Sequence, residues 1–241
     1  MKHIQYQHLK AERGSRKAQL NSQNLLPTDI PVTSAQICRL IHEEEALNPL
    51  KNIIDDRTEA RKQGDTNADC CFLALADQNG QASVRTLVLR EITDSHLVLF
   101  LNRTSPKWQL LQHGANYELL LWYASMQRQY RIQGKMQPLD SKIVKQTWQR
   151  RPHGSKYLDY VYQEMAPQSS VIDSREQLVS EIARLKKTYN IDDMQAPDDV
   201  GGIALIADRV EMLDLNREDR IHDRRVFSLN DGLWTSRVLV P

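Results

Sequence analysis

The sequence predicts a mainly β protein, an antiparallel and closed or nearly closed barrel with helices flanking it. Most apolar segments follow one another as hairpins, without the strand–helix alternation that a doubly wound sheet requires. The clearest turn is Asp77-Gln78-Asn79-Gly80, because Asn-Gly tolerates the positive φ of a tight hairpin. The motifs G-x-G-x-x-G and G-x-x-x-x-G-K-[ST] do not occur, which argues against Rossmann and P-loop nucleotide sites.

Composition and charge narrow the functional class. The 241 residues include 32 Lys+Arg and 31 Asp+Glu, a net charge of +1 that argues against nucleic acid bound on a broad basic face. Apolar runs such as 97–101 and 203–207 are too short to span a membrane. Residues 1–7 lack the apolar segment of a secretory signal. We therefore expect a cytoplasmic protein with neither a membrane nor a nucleic-acid partner.

The three cysteines and seven histidines give no metal-site pattern. Cys70 and Cys71 are adjacent, Cys38 stands alone, and no C-x-x-C spacing occurs. The histidines are scattered without paired carboxylates at ligand spacing. We predict no metal site, and we interpret the thiols as packing residues rather than nucleophiles.

The chain is predicted to consist of an N-terminal arm and one domain. Residues 1–32 are polar and basic, with two prolines as breakers, and are expected to be flexible. Residues 33–241 are expected to form a single domain that begins with two helices. The first helix starts near Ala35, and the second runs from the Asn48-Pro49 cap to about Gly64.

The remaining elements follow from hydrophobic periodicity and turn signals. Strands are predicted at 70–76, 82–90, 97–101, 116–124, 128–136, 201–215, 224–229 and 233–239. A short helix is predicted after Ser105-Pro106, with serine as the cap. Another helix is predicted over 140–150, anchored by Ile143 and Trp148. A third helix opens at Asp173-Ser174-Arg175-Glu176, which resembles a capping box.

The most informative polar stretch is Arg220-Ile221-His222-Asp223-Arg224. In an extended backbone, alternate side chains share a face, so Arg220, His222 and Arg224 would project together. Such a group of nitrogen-rich side chains suits an anionic or electron-rich ligand. An exposed strand edge whose charges discourage aggregation is an equally good interpretation of these residues alone.

Two further basic clusters are weaker signals. Arg85 and Arg90 lie near the two ends of one predicted strand with opposite parity, and the simplest interpretation is that both reach water. The segment Arg151-Pro152-His153-Gly154-Ser155-Lys156 places a guanidinium, a hydroxyl and an ammonium around a turn, which could hold a phosphate. Taken alone, an ordinary basic turn is the somewhat better interpretation.

In order and spacing, these clusters resemble the pyridoxamine 5′-phosphate oxidase family of FMN-dependent split-barrel flavoproteins, from about residue 46 to Pro241. Six segments are similar to the family's motifs: Arg85-Thr86-Leu87-Val88-Leu89-Arg90 to R-x-V-L-[LF]-[KR], Ser105-Pro106-Lys107 to S-R-K, Arg128-Gln129 to R-Q, Arg151-Pro152-His153-Gly154-Ser155 to R-P-x-x-S, Gln168-Ser169 to Q-S, and Arg220-Ile221-His222-Asp223-Arg224 to R-L-H-D-R. The last match is nearly identical. An arginine shortly before a terminal proline, here Arg237 and Pro241, also resembles the family's ending.

The resemblance implies an antiparallel, Greek-key-like split β-barrel that acts as an FMN-dependent oxidase. It would convert pyridoxine or pyridoxamine 5′-phosphate to pyridoxal 5′-phosphate with O2 as acceptor. It also implies a homodimer with FMN at the subunit interface, where Gln168 and Ser169 would reach the flavin phosphate from the other subunit. The implied cofactor-binding residues are Arg85, Thr86, Leu87, Val88, Arg90, Phe100, Leu101, Ser105, Lys107, Gln129, Gln168, Ser169 and Arg224. The implied substrate-binding residues are Arg90, Arg151, Ser155, Arg220 and His222, and the last two are also the implied catalytic residues.

Five positions depart from the family's pattern, and one of them is Val200, because the family's W-G-G segment reads Val200-Gly201-Gly202 here. Thr147 stands where a tyrosine would contact the substrate phosphate, and Pro106 replaces an arginine of the FMN phosphate motif. Asp214, or a residue close to it, replaces a tryptophan, and Arg90 replaces a lysine. Two alternatives therefore stay open. One is a split-barrel FMN oxidoreductase with a different substrate, and the other is a non-catalytic protein that binds FMN or a vitamin phosphate.

Overall fold

Nine antiparallel strands and five helices make up residues 47–241, the part of the chain that the computed structural model describes. The strands are β1 (Cys70–Ala76), β2 (Ala82–Val88), β3 (Glu91–Ile92), β4 (His96–Asn102), β5 (Tyr117–Tyr123), β6 (Arg128–Pro138), β7 (Val200–Asp214), β8 (Asp223–Asn230) and β9 (Leu233–Val238). The helices are α1 (Pro49–Lys62), α2 (Pro106–Gln112), α3 (Ser141–Trp148), α4 (His153–Glu164) and α5 (Arg175–Thr188). No helix between residues 47 and 241 has the length and apolar character needed to cross a membrane. The expected arm over 1–32, the helix expected from Ala35 and the thiol of Cys38 lie outside the described residues.

Capping residues set where the helices begin, as the sequence predicted. Asn48 accepts a hydrogen bond at Oδ1 from the Leu50 backbone N–H at 3.0 Å, and α1 starts at the following proline. Ser105 caps α2 in the same way, and Pro106 takes the first helical position. Ser174 caps α5 through the Gln177 backbone N–H at 3.2 Å.

Two local predictions in the helical region are wrong. Ile143 is 50% exposed, whereas its neighbour Val144 and the predicted anchor Trp148 are buried and hold α3 on the core. The basic segment at 151–156 is the entry to α4 rather than an isolated turn. Helix α4 forms because its buried face, which includes Tyr157 and Val161, packs against α3 and α5, and this packing overrides the weak helix propensity of a glycine in the first turn.

The long strand β7 organises the sheet. Strand order is β2-β1-β5-β6-β7-β4-β3, and β8 and β9 continue from β7 as an antiparallel pair. Strand β6 pairs along most of β7, while β4 pairs with its first half and β8 with its second half. The register of β6 shifts between Gln133 and Gly134. A side chain at Gly134 would place its Cβ 2.0 Å from the Ile206 carbonyl oxygen, so this bulge requires glycine.

The described residues have two hydrophobic cores. The larger core lies within the curled sheet and includes the fully buried Leu73, Leu99, Leu121 and Leu205. The smaller core joins α3, α4 and α5 to the first residues of β7; its members include Trp148, Tyr157, Leu185 and Val200. This second core holds α4 beside β4, and the candidate site lies between them.

Candidate active site

A cleft of about 130 Å³ lies between β2, β4, α2 and α4, and we call it the Lys107 cleft. Its lining residues are Leu87, Phe100, Leu101, Asn102, Lys107, Arg151, Ser155, Leu158, Asp159, Tyr162 and Gln168. Seven of these were expected at the flavin or substrate site: Leu87, Phe100, Leu101, Lys107, Arg151, Ser155 and Gln168. Residues far apart in the sequence are therefore brought together in one place.

Lys107 is a buried ammonium on the first turn of α2. Its Nζ donates a hydrogen bond to Gln168 Oε1 at 2.8 Å, and the residue is only 7% exposed. Burial and the nearby Arg85 guanidinium lower the pKa of Lys107 to about 8. Among the ion pairs of residues 47–241, none includes Lys107 or Arg85. The two cations thus lack an internal carboxylate in this part of the chain.

Gln168 reaches Lys107 from the segment that follows α4. Its backbone N–H donates to Thr104 Oγ1 at 3.0 Å, and its Nε2 donates to the Tyr162 hydroxyl at 3.3 Å. These contacts hold Gln168 beside Lys107 of the same chain. The next residue, Ser169, is exposed and has a left-handed φ of 77°.

Several buried N–H groups at the site have no hydrogen-bond partner. They are Arg85 Nε, Asn102 Nδ2 and Arg151 Nε. Arg85 faces inward from β2 and donates through Nη2 to Ser83 Oγ at 2.7 Å, which leaves its Nε free. Since a buried donor without a partner is costly, three such donors around two cations suit a bound anion.

Arg151 lies in the Lys107 cleft and forms an ion pair that the sequence analysis missed. Its Nη1 donates to Asp159 Oδ2 at 2.7 Å, and Trp148 Nε1 donates to the same oxygen at 2.7 Å. Asp159 is 3% exposed, and burial raises the pKa of Asp159 against the opposing effects of Arg151 and Trp148. The four-residue spacing of Arg151, Ser155 and Asp159 would have revealed this face if α4 had been predicted.

Arg90 is the other predicted substrate-binding cation near Arg151. It follows the last residue of β2, and its backbone N–H donates to the Val98 carbonyl at 3.1 Å. Partial burial and the nearby positive charge of Arg151 lower the pKa of Arg90. The positive charges of Arg90 and Arg151 therefore act on each other, and an anionic ligand between them would relieve this repulsion.

The segment around His222 forms a second cavity of about 400 Å³, which we call the Arg220 pocket. It is lined by Gln127, Leu215, Asn216, Arg217, Arg220 and His222. His222 Nδ1 accepts a hydrogen bond from the Asn216 backbone N–H at 3.1 Å, so the neutral ring carries its proton on Nε2.

The predicted shared strand face of Arg220, His222 and Arg224 is wrong. Strand β8 begins at Asp223, so Arg220 and His222 precede it, and Arg220 has a left-handed φ of 64° that breaks the alternation. Arg224 does lie in β8, and its Nε donates to Glu211 Oε1 at 2.9 Å. The three residues lie close in sequence, but they do not form one row.

The two cavities lie at opposite ends of β7. Val200, at one end, pairs with Asn102 of the Lys107 cleft, and Asp214, at the other end, pairs with Asp223 beside the Arg220 pocket. The strand has 15 residues. At about 3.3 Å per residue, the path along the strand from one end to the other is roughly 46 Å. No residue lines both cavities.

The family match follows from comparison with known proteins. A family model described as pyridoxamine 5′-phosphate oxidase matches residues 57–189, more than half of the chain. The chain belongs to the pyridoxamine 5′-phosphate oxidase family. A pyridoxine/pyridoxamine 5′-phosphate oxidase from Synechocystis sp. is 30% identical over 169 residues, which cover 70% of this chain and 77% of that protein. A second relative with that name, from Hydrogenovibrio crunogenus, is 27% identical over 76% of this chain and 84% of its own length. This member of the family is accordingly an oxidoreductase.

Solved structures confirm the split-barrel fold of this family member. PhzG from Burkholderia lata, in complex with tetrahydrophenazine-1-carboxylic acid, superposes with a TM-score of 0.73 at 19% identity, over 90% of this chain and 99% of that one. A pyridoxamine 5′-phosphate oxidase-related, FMN-binding protein from Nostoc punctiforme gives a TM-score of 0.59 at 18% identity, over 89% of this chain and all of the other. The predicted antiparallel split β-barrel is thus confirmed.

The remaining predicted site residues of this oxidase-family chain lie outside the Lys107 cleft or already have a structural role. Thr86 and Val88 are exposed on the outer face of β2. Ser105 is fully buried; its hydroxyl caps α2 and donates to the Asn102 carbonyl at 2.7 Å. Gln129 lies on β6 opposite Leu213, near the Arg220 pocket end of the sheet.

Arg128, the first residue of the family's R-Q pair, stabilises the packing of the secondary-structure elements through ion pairs. Its Nη1 donates to both Asp56 carboxylate oxygens at 3.0 and 2.9 Å, and its Nη2 donates to Asp214. Tyr130 also donates to Asp56. The aspartate at the expected tryptophan position therefore helps to join α1, β6 and β7.

Proposed function

We propose that this chain is an FMN-dependent oxidase that acts on pyridoxine or pyridoxamine 5′-phosphate, with the flavin phosphate at Lys107 and Arg85. The observation that carries the proposal is that Lys107 and Arg85 have no carboxylate partner within residues 47–241, while the buried Arg85 Nε and Asn102 Nδ2 have no hydrogen-bond partner there. A phosphate would satisfy these donors and offset the burial that lowers the pKa of Lys107. FMN, when bound, supplies the capacity to accept a hydride from the substrate and to pass electrons to O2.

The residues of the chain would bind, orient and exclude water. Lys107, Gln168 and Arg85 hold the flavin phosphate, while Leu87 and Phe100 provide apolar walls that keep water from the ring. The family match and the FMN-binding relative of the same fold support this assignment.

The substrate's anionic group would bind at the other end of the Lys107 cleft. Arg151 and Ser155 line that end, and Arg90 is close enough to Arg151 to share the ligand's charge. His222, with its proton on Nε2, can donate a hydrogen bond to a substrate oxygen or nitrogen, and Arg220 would cover the ring.

We further propose that the working enzyme is a homodimer in which the Arg220 pocket of one subunit faces the Lys107 cleft of the other. The Lys107 cleft and the Arg220 pocket adjoin opposite ends of β7 and share no lining residue, so we infer that one small ligand reaches both when a second copy supplies one of them. A two-fold axis would produce two equivalent sites.

Subunit complementation tests this arrangement. Lys107→Ala should lose flavin, and Arg220→Leu should keep flavin but lose turnover. An equal mixture of the two variants, dissociated and reassembled, should recover about a quarter of the wild-type activity, since half the dimers are mixed and each has one intact site. No recovery from a mixture that native mass spectrometry shows to contain mixed dimers would contradict the shared site.

A second candidate is an FMN-dependent oxidoreductase of the same family with a different substrate. Two observations favour it: Arg151 is already paired with Asp159, and Thr147 stands where the family's tyrosine would contact the phosphate. Oxidation of a substrate without a phosphate group, at a rate well above that of pyridoxamine 5′-phosphate, would support this alternative.

Anaerobic titration tests the main proposal. The purified protein should show a flavin spectrum, pyridoxamine 5′-phosphate should bleach it, and air should restore it with release of peroxide. Lys107→Ala should lose flavin, whereas Lys142→Ala, which removes an exposed lysine on α3, should not. Protein that stays colourless after incubation with FMN would refute the proposal, and flavin that the vitamin phosphate does not reduce would favour the second candidate.

A further inference from the structure

Asp159 forms an ion pair with Arg151, and both residues line the Lys107 cleft. One carboxylate oxygen accepts hydrogen bonds from Arg151 Nη1 and from Trp148 Nε1, both at 2.7 Å. The indole belongs to the second core and is 1% exposed, so it holds the carboxylate in place. Asp159 therefore cannot turn away when a ligand arrives.

The carboxylate of Asp159 neutralises the charge of Arg151, but the guanidinium keeps N–H groups that can donate to a ligand. Its Nε is buried and has no partner, so the guanidinium can still donate to a ligand. The other charged groups nearby are Arg90, whose pKa Arg151 lowers, and Lys156, whose Nζ lies 5.0 Å from the centre of the Trp148 ring. A ligand in this part of the Lys107 cleft thus meets a carboxylate among the cations.

We propose that Asp159 is a specificity-determining residue that reduces the advantage of doubly charged anions, such as a phosphate ester, over singly charged anions, such as a carboxylate, at the Arg151 end of the Lys107 cleft. Coulomb repulsion is proportional to the ligand's charge, so a fixed carboxylate opposes a dianion twice as strongly as a monoanion. The proposal rests on the proposed function only in taking this cleft as the place where the substrate's anionic group binds.

Asp159→Asn separates the charge of this side chain from its shape. The asparagine oxygen can still accept from both Trp148 and Arg151, while the negative charge is gone. Glu164→Gln is the matched control, because it removes one negative charge from the exposed end of the same helix.

The probes are benzyl phosphate and phenylacetate, two aromatic anions that differ mainly in charge. Their dissociation constants are measured by calorimetry at a pH where the phosphate ester is doubly ionised, on protein with excess FMN. We expect Asp159→Asn to tighten binding of phenylacetate about tenfold and of benzyl phosphate by about the square of that factor, while Glu164→Gln changes neither. Arg151→Met removes the guanidinium, and its dissociation constants show how much of the binding of each probe depends on Arg151.

The direction of the change decides between a charge role and a purely orienting role. If Asp159 only positions Arg151, Asp159→Asn leaves both dissociation constants unchanged or raises them, which overturns the proposal. Should that variant fail to unfold cooperatively, Asp159→Ala is the second test. Protein that takes up no flavin refutes the proposed function alone, because the Arg151-dependent part of the binding can still be measured without FMN.

Discussion

The proposed binding of FMN should weaken as the pH rises, because the lysine at its phosphate loses a proton near pH 8. In the free protein, burial and Arg85 lower the pKa of Lys107 to about 8, well below the ordinary value of 10.5. A bound phosphate stabilises the protonated form, so the complex keeps the proton over a range where the free protein releases it. Flavin binding above that pH therefore requires proton uptake, which opposes it.

The magnitude follows from the fraction of free protein that carries the proton. With a pKa of about 8, that fraction is roughly 0.9 at about pH 7 and roughly 0.1 at about pH 9, so the dissociation constant should rise about tenfold between them. The same linkage acts on folding without ligand. Since the folded-state pKa lies below the unfolded value, the stability of the flavin-free protein should rise between about pH 8 and about pH 10.5.

Fluorescence titration of the flavin-free protein with FMN at constant ionic strength provides the measurement. Lys107→Arg should bind with little pH dependence over this range, because a guanidinium stays protonated. Lys142→Ala should behave like the wild-type protein, since that lysine is exposed on α3. A wild-type dissociation constant that is equal at both pH values, or a Lys107→Arg variant with the same tenfold change, would refute the reasoning.

Three further predictions concern the framework around the site. Asp56→Ala should lower the free energy of unfolding by about 3 kcal/mol in urea titrations, because it leaves a partly buried guanidinium and a buried phenol without their shared carboxylate. Gly201→Ala should weaken flavin binding without touching the ligand, since its Cβ would lie 2.6 Å from the Trp108 ring and displace the helix that holds the lysine; spectral titration reports the loss. Val144→Ala should lower the free energy of unfolding by about 2 kcal/mol, and the melting temperature should fall with it. Ile143→Ser, at an exposed position, should change the free energy of unfolding by less than about 0.5 kcal/mol.

The fold could be predicted where the signals are local. Strand β1 matches its predicted bounds at Cys70 and Ala76 because a continuous apolar run ends at a turn whose glycine has a φ of 78°. Helix α2 begins at Pro106 as predicted, because a serine cap and an N1 proline both act within one turn. Helix α4 was missed because the proline and glycine near its start resemble a turn, and only tertiary packing stabilises a helix there.

The site could be predicted only in part. The resemblance supplied Lys107, Arg151, Ser155 and Gln168, and the structure places all four in one cleft. Asp159 could not be recognised from sequence, since a buried aspartate and an exposed one look alike until the helix that carries it is known. The prediction that Arg220, His222 and Arg224 share a face failed at Arg220. A residue with positive φ does not continue the extended backbone on which the alternation of side chains depends.

The framework and the site share the long strand β7, and internal ion pairs lie near both of its ends. At one end Asp214 receives a hydrogen bond from Arg128 and joins β7 to β6, where the family's aromatic residue would contact the flavin. At the other end the second core packs against Val200 and holds Trp148, whose indole N–H fixes Asp159 beside the guanidinium. At each end an arginine of a family motif, Arg128 or Arg151, is engaged in an internal ion pair. Neither pair includes Lys107, so neither reduces the positive charge that we propose for the flavin phosphate.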